Sequence, residues 1–129
     1  MIRIFFLVAL FITQINFAAA ITISAAGQYG LGENITFTPA GNDSIIIINS
    51  SDVYLDLRNY IIEQSGGAGT LNGIQVAAGL SNVIIANGFI RNLSGDGILI
   101  GQNCNNVKVK NVEILNVNNG VNLNSTAGN

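Results

Sequence analysis

The sequence lacks several residue types on which common catalytic and metal sites depend. Its 129 residues include no histidine and no tryptophan, and they contain a single cysteine (Cys104) and a single proline (Pro39). Without histidine there is no Ser-His-Asp or Cys-His catalytic site and no histidine-ligated zinc. One cysteine forms neither an intrachain disulfide nor a thiolate metal cluster. We therefore expect no cofactor and no nucleophilic site of the usual kinds.

Charged residues are scarce as well. They make up 9% of the chain, compared with about 25% in an average soluble domain. Five basic residues and a net charge of −2 are too little positive charge for a nucleic-acid-binding surface. Isoleucine (20), asparagine (19) and glycine (15) are abundant instead. This combination is typical of short buried strands joined by tight turns.

Residues 1–20 have the layout of a secretory signal peptide. Arg3 precedes an apolar run from Ile4 to Ile12, and Ala18-Ala19-Ala20 provides a small-residue exit. The run is too short to cross a bilayer of about 30 Å, which needs about 20 apolar residues. The alternative is a buried N-terminal helix. We predict a helical signal peptide and an exported mature chain, 21–129, without a transmembrane span, located outside the cell, in a periplasm or at the cell surface.

The rest of the chain repeats itself. Ser81–Asn87 matches Asn105–Asn111, and Gly97–Ile100 matches Gly120–Leu123 once the loss of a single position is allowed. An earlier, looser copy with two insertions begins at Ser51. A period of about 24 residues indicates stacked repeat units. The sequence therefore predicts about three rungs.

Each repeat contains three short segments in which apolar residues alternate with other residues, as expected of half-buried strands. Such a rung is too short to bury its own apolar side chains, so successive rungs must stack. Asn59, Asn87 and Asn111 fall in one column and predict a ladder of hydrogen-bonded amides. The predicted inward side chains are Val53, Leu55, Val83, Ile85, Val107 and Val109 in the first strands, Tyr60, Ile62, Gly88, Ile90, Val112 and Ile114 in the second, and Ile74, Val76, Ile98, Ile100, Val121 and Leu123 in the third.

Two motifs resemble a known family. Gly27-Gln28-Tyr29-Gly30-Leu31 and Ser51-Asp52-Val53-Tyr54-Leu55-Asp56-Leu57 are similar to the opening strands of right-handed parallel β-helix proteins of the pectate-lyase-like superfamily. Tyr60 departs from the pattern, because the family commonly has glycine there. The resemblance implies an all-β, right-handed parallel β-helix with an N-terminal cap at about 21–43 and rungs at about 44–129.

Two other folds remain open at this point. A leucine-rich repeat has a period of about 20–29 residues, but Val117 stands where its asparagine is expected. A β-sandwich is the third possibility.

The last rung ends close to the final residue of the sequence, with no sequence pattern for a cap. Uncovered coil ends leave unpaired backbone groups and exposed apolar side chains. We therefore expect a C-terminally truncated fragment or a chain whose edge pairs with missing rungs or with a partner chain.

The sequence offers little for catalysis. Polygalacturonase-type relatives use clustered aspartates, a G-H-G and an R-x-K arrangement, and pectate-lyase-type relatives hold Ca²⁺ with several carboxylates beside an arginine base. Neither pattern occurs, since Asp52, Asp56, Asp96 and Glu113 are scattered over the rungs. We predict no catalytic and no metal residues.

The residues best suited to contact a glycan are Tyr54, Arg91 and Asp96. A tyrosine ring stacks on sugars, whereas Arg91 and Asp96 flank a turn and fit a local ion pair better than a glycan contact. The leading hypothesis is an exported non-catalytic β-helix, a scaffold or surface-interaction module that contacts polysaccharide or cell-envelope glycan. The alternative is the N-terminal part of a carbohydrate-active enzyme (a lyase, hydrolase or epimerase) whose active site lies in downstream rungs.

Overall fold

The computed structural model describes residues 16–17 and 20–124, and every regular element among them is a β-strand. The predicted signal peptide, 1–20, lies outside these residues apart from 16–17 and Ala20. No described segment is a helix long and apolar enough to span a membrane. The strands are β1 (Asn16–Phe17), β2 (Ile21–Ile23), β3 (Gly27–Gly30), β4 (Ile35–Phe37), β5 (Asp43–Ile48), β6 (Val53–Asp56), β7 (Ile61–Gln64), β8 (Leu71–Val76), β9 (Ser81–Arg91), β10 (Ile98–Ile100), β11 (Asn105–Leu115) and β12 (Val121–Leu123).

All strand pairs are parallel, and each strand pairs with its counterpart in the next turn of the chain. Three strand segments make one turn. We call residues 27–48 coil 1, 53–76 coil 2, 81–100 coil 3 and 105–123 coil 4. The first face of the solenoid carries β3, β6 and the first halves of β9 and β11. The second face carries β1, β4, β7 and the second halves of β9 and β11, and the third face carries β2, β5, β8, β10 and β12.

The observed register confirms the predicted parallel solenoid. Val107 pairs with Val83 and Ile98 with Val121, as the repeat alignment predicts. The structure has about four turns where the sequence predicts about three. The additional turn is coil 1, most of which lies in the segment predicted as a cap. Its spacing to coil 2 differs on each face, as the pairs Gly27–Val53, Ile35–Ile62 and Ile46–Ile74 show, so no single period reveals it.

The core is a column of apolar side chains that runs along the solenoid axis. Its largest fully buried members are Phe37, Leu31, Ile35, Ile45, Ile46, Ile48, Leu55, Leu57, Ile62, Leu71, Ile74 and Ile85. Burying one side chain of this size contributes about 1.5–3 kcal/mol. The one buried tyrosine, Tyr29, donates its hydroxyl to the carbonyl of Ala25 at 2.7 Å, and burial raises its pKa.

Asparagine makes the corners between the first and second faces. Asn87 and Asn111 have φ values of 64° and 55°, in the left-handed region that asparagine tolerates better than most residues. One such residue redirects the chain without ending the strand, so β9 and β11 each run across the corner for 11 residues. Inward side chains precede and follow the corner on both strands.

The predicted asparagine ladder is present in part. Asn111 Nδ2 donates to Asn87 Oδ1 at 3.0 Å, but Asn87 Nδ2 donates onward to Asp56 Oδ1 at 3.3 Å. The inclusion of Asn59 in this ladder is wrong. Arg58 and Asn59 form a two-residue turn with φ values of 54° and 64°, so Asn59 meets Asn87 only through its backbone N–H, which donates to the Asn87 carbonyl at 2.7 Å.

Two further ladders run parallel to the first. Asn106 donates to Asn82 at 2.8 Å and Asn82 to Asp52 at 3.0 Å, while Asn116 donates to Asn92 at 2.8 Å. In every case the later coil donates to the earlier one. Side-chain amides therefore bond the coils together in addition to the backbone.

Candidate functional site

The outer surface of the first face carries a column of four side chains. Gln28 pairs with Tyr54, Tyr54 with Ile84, and Ile84 with Lys108. Paired strands hold successive members of such a column about 4.8 Å apart. Gln28 and Lys108 are exposed, whereas Tyr54 and Ile84 are half-buried. Tyr54 thus presents part of its ring to solvent between a polar and an apolar neighbour.

Tyr54 lies in a shallow cleft of about 370 Å³, which we call the Tyr54 cleft; it is lined by Ala26, Gly27, Gln28, Asp52, Val53, Tyr54, Asn82 and Ile84. Asp52 has a φ of 61°, which turns the chain into β6. Its carboxylate accepts a hydrogen bond from Asn82 Nδ2 at 3.0 Å. Asp52 is the one charged residue in this lining. The cleft therefore combines an aromatic ring, an aliphatic side chain, two amides and a carboxylate.

These groups suit a ligand with hydroxyl groups and an apolar face. Tyrosine offers a flat ring with a polar tip. Amide side chains donate and accept hydrogen bonds, and a carboxylate accepts them. Binding sites for small molecules typically join such apolar contact to a few placed polar groups. Of the three residues predicted to contact glycan, Tyr54 is the one in this cleft.

Arg91 lies at the end of β9 on the second face, outside the cleft. Its Nε lies 3.0 Å from Glu63 Oε1, and 44% and 29% of the two side chains are exposed. Glu63 and Arg91 are register partners in neighbouring coils. The ion pair expected between Arg91 and Asp96 is absent among the described residues. Arg91 instead joins coil 2 to coil 3.

Asp96 is only 7% exposed, and its carboxylate bonds to side chains of the solenoid itself. Its Oδ1 accepts from Asn118 Nδ2 at 3.1 Å and Asn119 Nδ2 at 2.8 Å, and its Oδ2 accepts from Asn122 Nδ2 at 2.7 Å. Burial disfavours the charged carboxylate, but these three amides and the backbone N–H of Asn119 outweigh it, so the pKa of Asp96 is lowered. Asp96 therefore organises the turn into β12 and is covered by it.

A second cleft, of about 490 Å³, lies at the start of the third face; its lining is Asn42, Asp43, Ser44, Thr70, Asn72 and Gln75. These side chains bond to one another. Ser44 Oγ lies 2.8 Å from Gln75 Oε1, and Asn72 Nδ2 lies 3.4 Å from Ser44 Oγ. The lining has no aromatic ring. Without a ring on which a sugar can stack, it is a weaker candidate than the Tyr54 cleft.

Sequence reasoning missed Gln28, Asp52 and Asn82 as neighbours of Tyr54. The column of Tyr54, Ile84 and Lys108 follows from the repeat alignment. Gln28 does not, because coil 1 is not recognisable from the period. Asp52 and Asn82 occupy the same ladder position in neighbouring coils. Each directly precedes the first apolar residue of its coil, Val53 or Val83, and this shared position in the repeat could have predicted that they are neighbours.

The described residues hold no group of three or more His, Cys, Asp or Glu side chains placed to bind a metal ion. Cys104 is a half-buried free thiol whose Sγ lies 3.2 Å from the carbonyl oxygen of Ala77. Comparisons of the chain with protein-family models, with curated proteins and with solved structures found no match.

Proposed function

We propose that this protein is an exported, non-catalytic scaffold that binds neutral glycan in the Tyr54 cleft. The observation that carries the proposal is the placement of a half-exposed tyrosine ring beside Asp52 and Asn82. One sugar ring stacks on Tyr54, and its hydroxyl groups bond to the polar side chains of the lining. The coils wind right-handed, as about 98% of parallel strand crossovers do, and the fold is of the pectate-lyase-like type.

The charge of the cleft favours a neutral sugar over a uronic acid. Asp52 is the sole charged group of the lining, and it repels a carboxylated sugar. Lys108 stands two coils from Tyr54 in the same column, at about 9.6 Å by strand spacing. A cation at that distance does not neutralise a carboxylate held against Tyr54. A cleft for polygalacturonate would need a basic residue in the lining.

The rigidity of the solenoid favours a binding role. Tyr54 lies on β6, which is paired on one side with β3 and on the other with β9. Asp52 and Asn82 are fixed by the ladder bond between them. Groups that are already ordered lose little conformational entropy when a ligand binds.

Export would bring the same face into contact with the glycans of a cell surface or its surroundings.

A binding assay with matched variants tests this proposal. The purified exported protein is titrated with neutral oligosaccharides (glucan, mannan and xylan fragments) and with oligogalacturonate. We expect a neutral fragment to bind best, Tyr54→Phe to retain binding, and Tyr54→Ala to weaken it by about 1.4–3 kcal/mol, at least tenfold in Kd. Phe89→Ala is the control, because Phe89 is 37% exposed and lies on the second face.

Three results would contradict the proposal. Equal effects of Tyr54→Ala and Phe89→Ala would place binding elsewhere, and a preference for oligogalacturonate would refute the charge argument. Turnover of the bound oligosaccharide would favour the alternative, the N-terminal part of a carbohydrate-active enzyme. Circular dichroism of each variant separates loss of binding from loss of fold.

A further inference from the structure

Coil 4 is the open end of the described solenoid. Its inward side chains Val107, Val109, Val112 and Ile114 are only half-buried, although their counterparts in coil 3 are buried. Leu115, Val121 and Leu123 are 54%, 45% and 68% exposed. Among the described residues, β11 pairs with β9 alone and β12 with β10 alone. One edge of each strand therefore offers unpaired backbone groups beside apolar side chains.

The opposite end, as far as the structure describes it, offers no equivalent surface. Tyr29, Leu31 and Ile35 in coil 1 are 5%, 0% and 0% exposed. Within the part of the chain that the structure describes, a second copy therefore has an open apolar end only at its own coil 4. Two copies can bury these ends together only if the same surface is used twice, which requires two-fold symmetry.

The sequence of β11 is complementary to itself under this symmetry. A two-fold axis through the corner between Lys110 and Asn111 lays the strand antiparallel on its copy. Val107 then lies opposite Ile114, and Val109 opposite Val112. The corner at Asn111, with a φ of 55°, resets the alternation, so these four side chains all point inward in both copies. Directly opposed side chains of an antiparallel pair lie about 4.5–5.5 Å apart and pack together.

The charges of β11 match in the same register. Lys108 lies opposite Glu113, and the axis generates this pair twice. Both residues are exposed, and neither takes part in an ion pair with another described residue. Lys110 lies opposite Asn111, whose Nδ2 is engaged with Asn87 in coil 3, while its Oδ1 has no donor among the described residues. The ammonium group of Lys110 is such a donor.

We propose that a second copy of this chain docks on coil 4 through an antiparallel β11–β11 pair, which closes the solenoid as a symmetric dimer. The interface joins the backbone edges, opposes Val107 and Val109 to Ile114 and Val112, and forms two Lys108–Glu113 ion pairs. Its occupant is distinct from the glycan proposed above, because the Tyr54 cleft is lined by residues in or directly before coils 1–3 and by none of coil 4. Failure of one proposal leaves the other intact.

Charge reversal with rescue tests the proposed register. The full exported chain is studied by sedimentation equilibrium, and we expect a dimer. Lys108→Glu and Glu113→Lys each place like charges opposite one another, and each should raise the dimer Kd at least tenfold. The double variant Lys108→Glu/Glu113→Lys restores the opposite charges and should return the Kd to near that of the natural sequence. Glu63→Lys, which alters the net charge as much as Glu113→Lys but in coil 2, should leave the dimer unchanged.

Zero-length crosslinking supplies a second measurement. A carbodiimide joins an amine to a neighbouring carboxylate, so mixed isotope-labelled and unlabelled protein should give an intermolecular Lys108–Glu113 crosslink. A monomer at all concentrations overturns the proposal, whether coil 4 is exposed or covered by further coils of a longer chain. Open-ended larger assemblies indicate head-to-tail stacking and overturn it as well. A dimer that both single reversals leave intact uses another surface and has the same consequence.

Discussion

Asp96 joins three coils by hydrogen bonds of its carboxylate and its backbone. Three asparagines of coil 4 converge on its two oxygens, and its own backbone N–H donates to Asn72 Oδ1 at 2.8 Å. The residue thus connects coil 2, coil 3 and coil 4. Its charge is retained in a buried place because every hydrogen bond to it comes from a neutral donor that stabilises the anion.

Replacing Asp96 by asparagine should lower the free energy of unfolding by about 1–3 kcal/mol, because an amide nitrogen then faces an amide donor. The folded pKa of Asp96 is below its ordinary value of 3.8. Its stabilisation is therefore fully present above about pH 4 and is lost as the pH falls through the folded pKa. Urea unfolding from neutral to acid pH measures this, and the gap between Asp96→Asn and the natural protein should close at the acid end.

Asp52→Asn is the matched control. Asp52 is exposed and accepts one side-chain hydrogen bond, so its replacement should change the stability by no more than about 0.5 kcal/mol. Equal losses for both variants at neutral pH would contradict the role assigned to Asp96.

Gly88 marks a place where the core leaves no room for a side chain. A Cβ at Gly88 would lie 2.3 Å from Leu57 Cβ, whereas a Cβ at Gly41 would meet nothing within 4 Å. Gly88→Ala should therefore cost about 1–3 kcal/mol by overpacking, and Gly41→Ala should be near neutral. Thermal unfolding compares them. In the background Leu57→Gly, which removes that Cβ, the added cost of Gly88→Ala should largely vanish, and an additive double variant would refute the steric explanation.

At the level of elements, the asparagine ladders have a direction. Each later asparagine donates to the earlier one, and two ladders begin at an aspartate, Asp52 or Asp56, that only accepts. An aspartate is a natural first member because it accepts the amide of the next coil and requires no donor partner below it. The same corner asparagines also adopt positive φ. Asparagine serves both functions at once.

Variants of Asn87 separate these two functions. Asn87→Gly keeps the backbone conformation and removes the ladder bonds, so it should cost about 1 kcal/mol. Asn87→Ala also forces alanine into the left-handed region, which adds about 1–2 kcal/mol. Asn103, with a φ of 62° and no side-chain hydrogen bond to a described residue, is the control position. Asn103→Gly should leave the free energy of unfolding unchanged, and Asn103→Ala should lower it only by the cost of placing alanine in the left-handed region. If Asn103→Gly cost as much as Asn87→Gly, the ladder bonds would not explain the loss at Asn87. Urea unfolding of the four variants measures these costs.

The sequence predicts the elements wherever the repeat is regular. Val83 and Val107 pair as expected because the intervening corners have nearly equal length in coils 3 and 4. The repeat period does not reveal coil 1, because its corners differ in length from the matching corners of coil 2 and the spacing between paired residues therefore changes from face to face. Asp56 takes the ladder position assigned to Asn59 because a two-residue turn shifts the side chain. Arg91 pairs with Glu63 rather than with Asp96 because the strand register places Arg91 beside Glu63 of the preceding coil. The residues around Arg91 in the sequence do not reveal that register.

For the whole molecule, protection in the monomer, as obtained with Lys108→Glu, should fall from the centre of the solenoid toward coil 4. Coils 2 and 3 have neighbours on both sides and fully buried cores, while coil 4 has a neighbour on one side among the described residues. Hydrogen exchange read by peptide mass spectrometry should show slow exchange in β6 and β9. For Lys108→Glu, whose dimer is weakened, β11 should exchange faster than in the natural protein. Uniform exchange across all four coils would contradict this gradient.

The unequal corner lengths have a practical consequence. Between coils 2 and 3, paired residues such as Val53 and Val83 on the first face are farther apart in sequence than Ile74 and Ile98 on the third, with the strands still in register. The residues by which one coil exceeds the next form longer loops at the corners, as at Gly66–Gly69 between β7 and β8. A foreign peptide inserted at that corner would therefore lie on the outside of the solenoid and leave its apolar core unchanged.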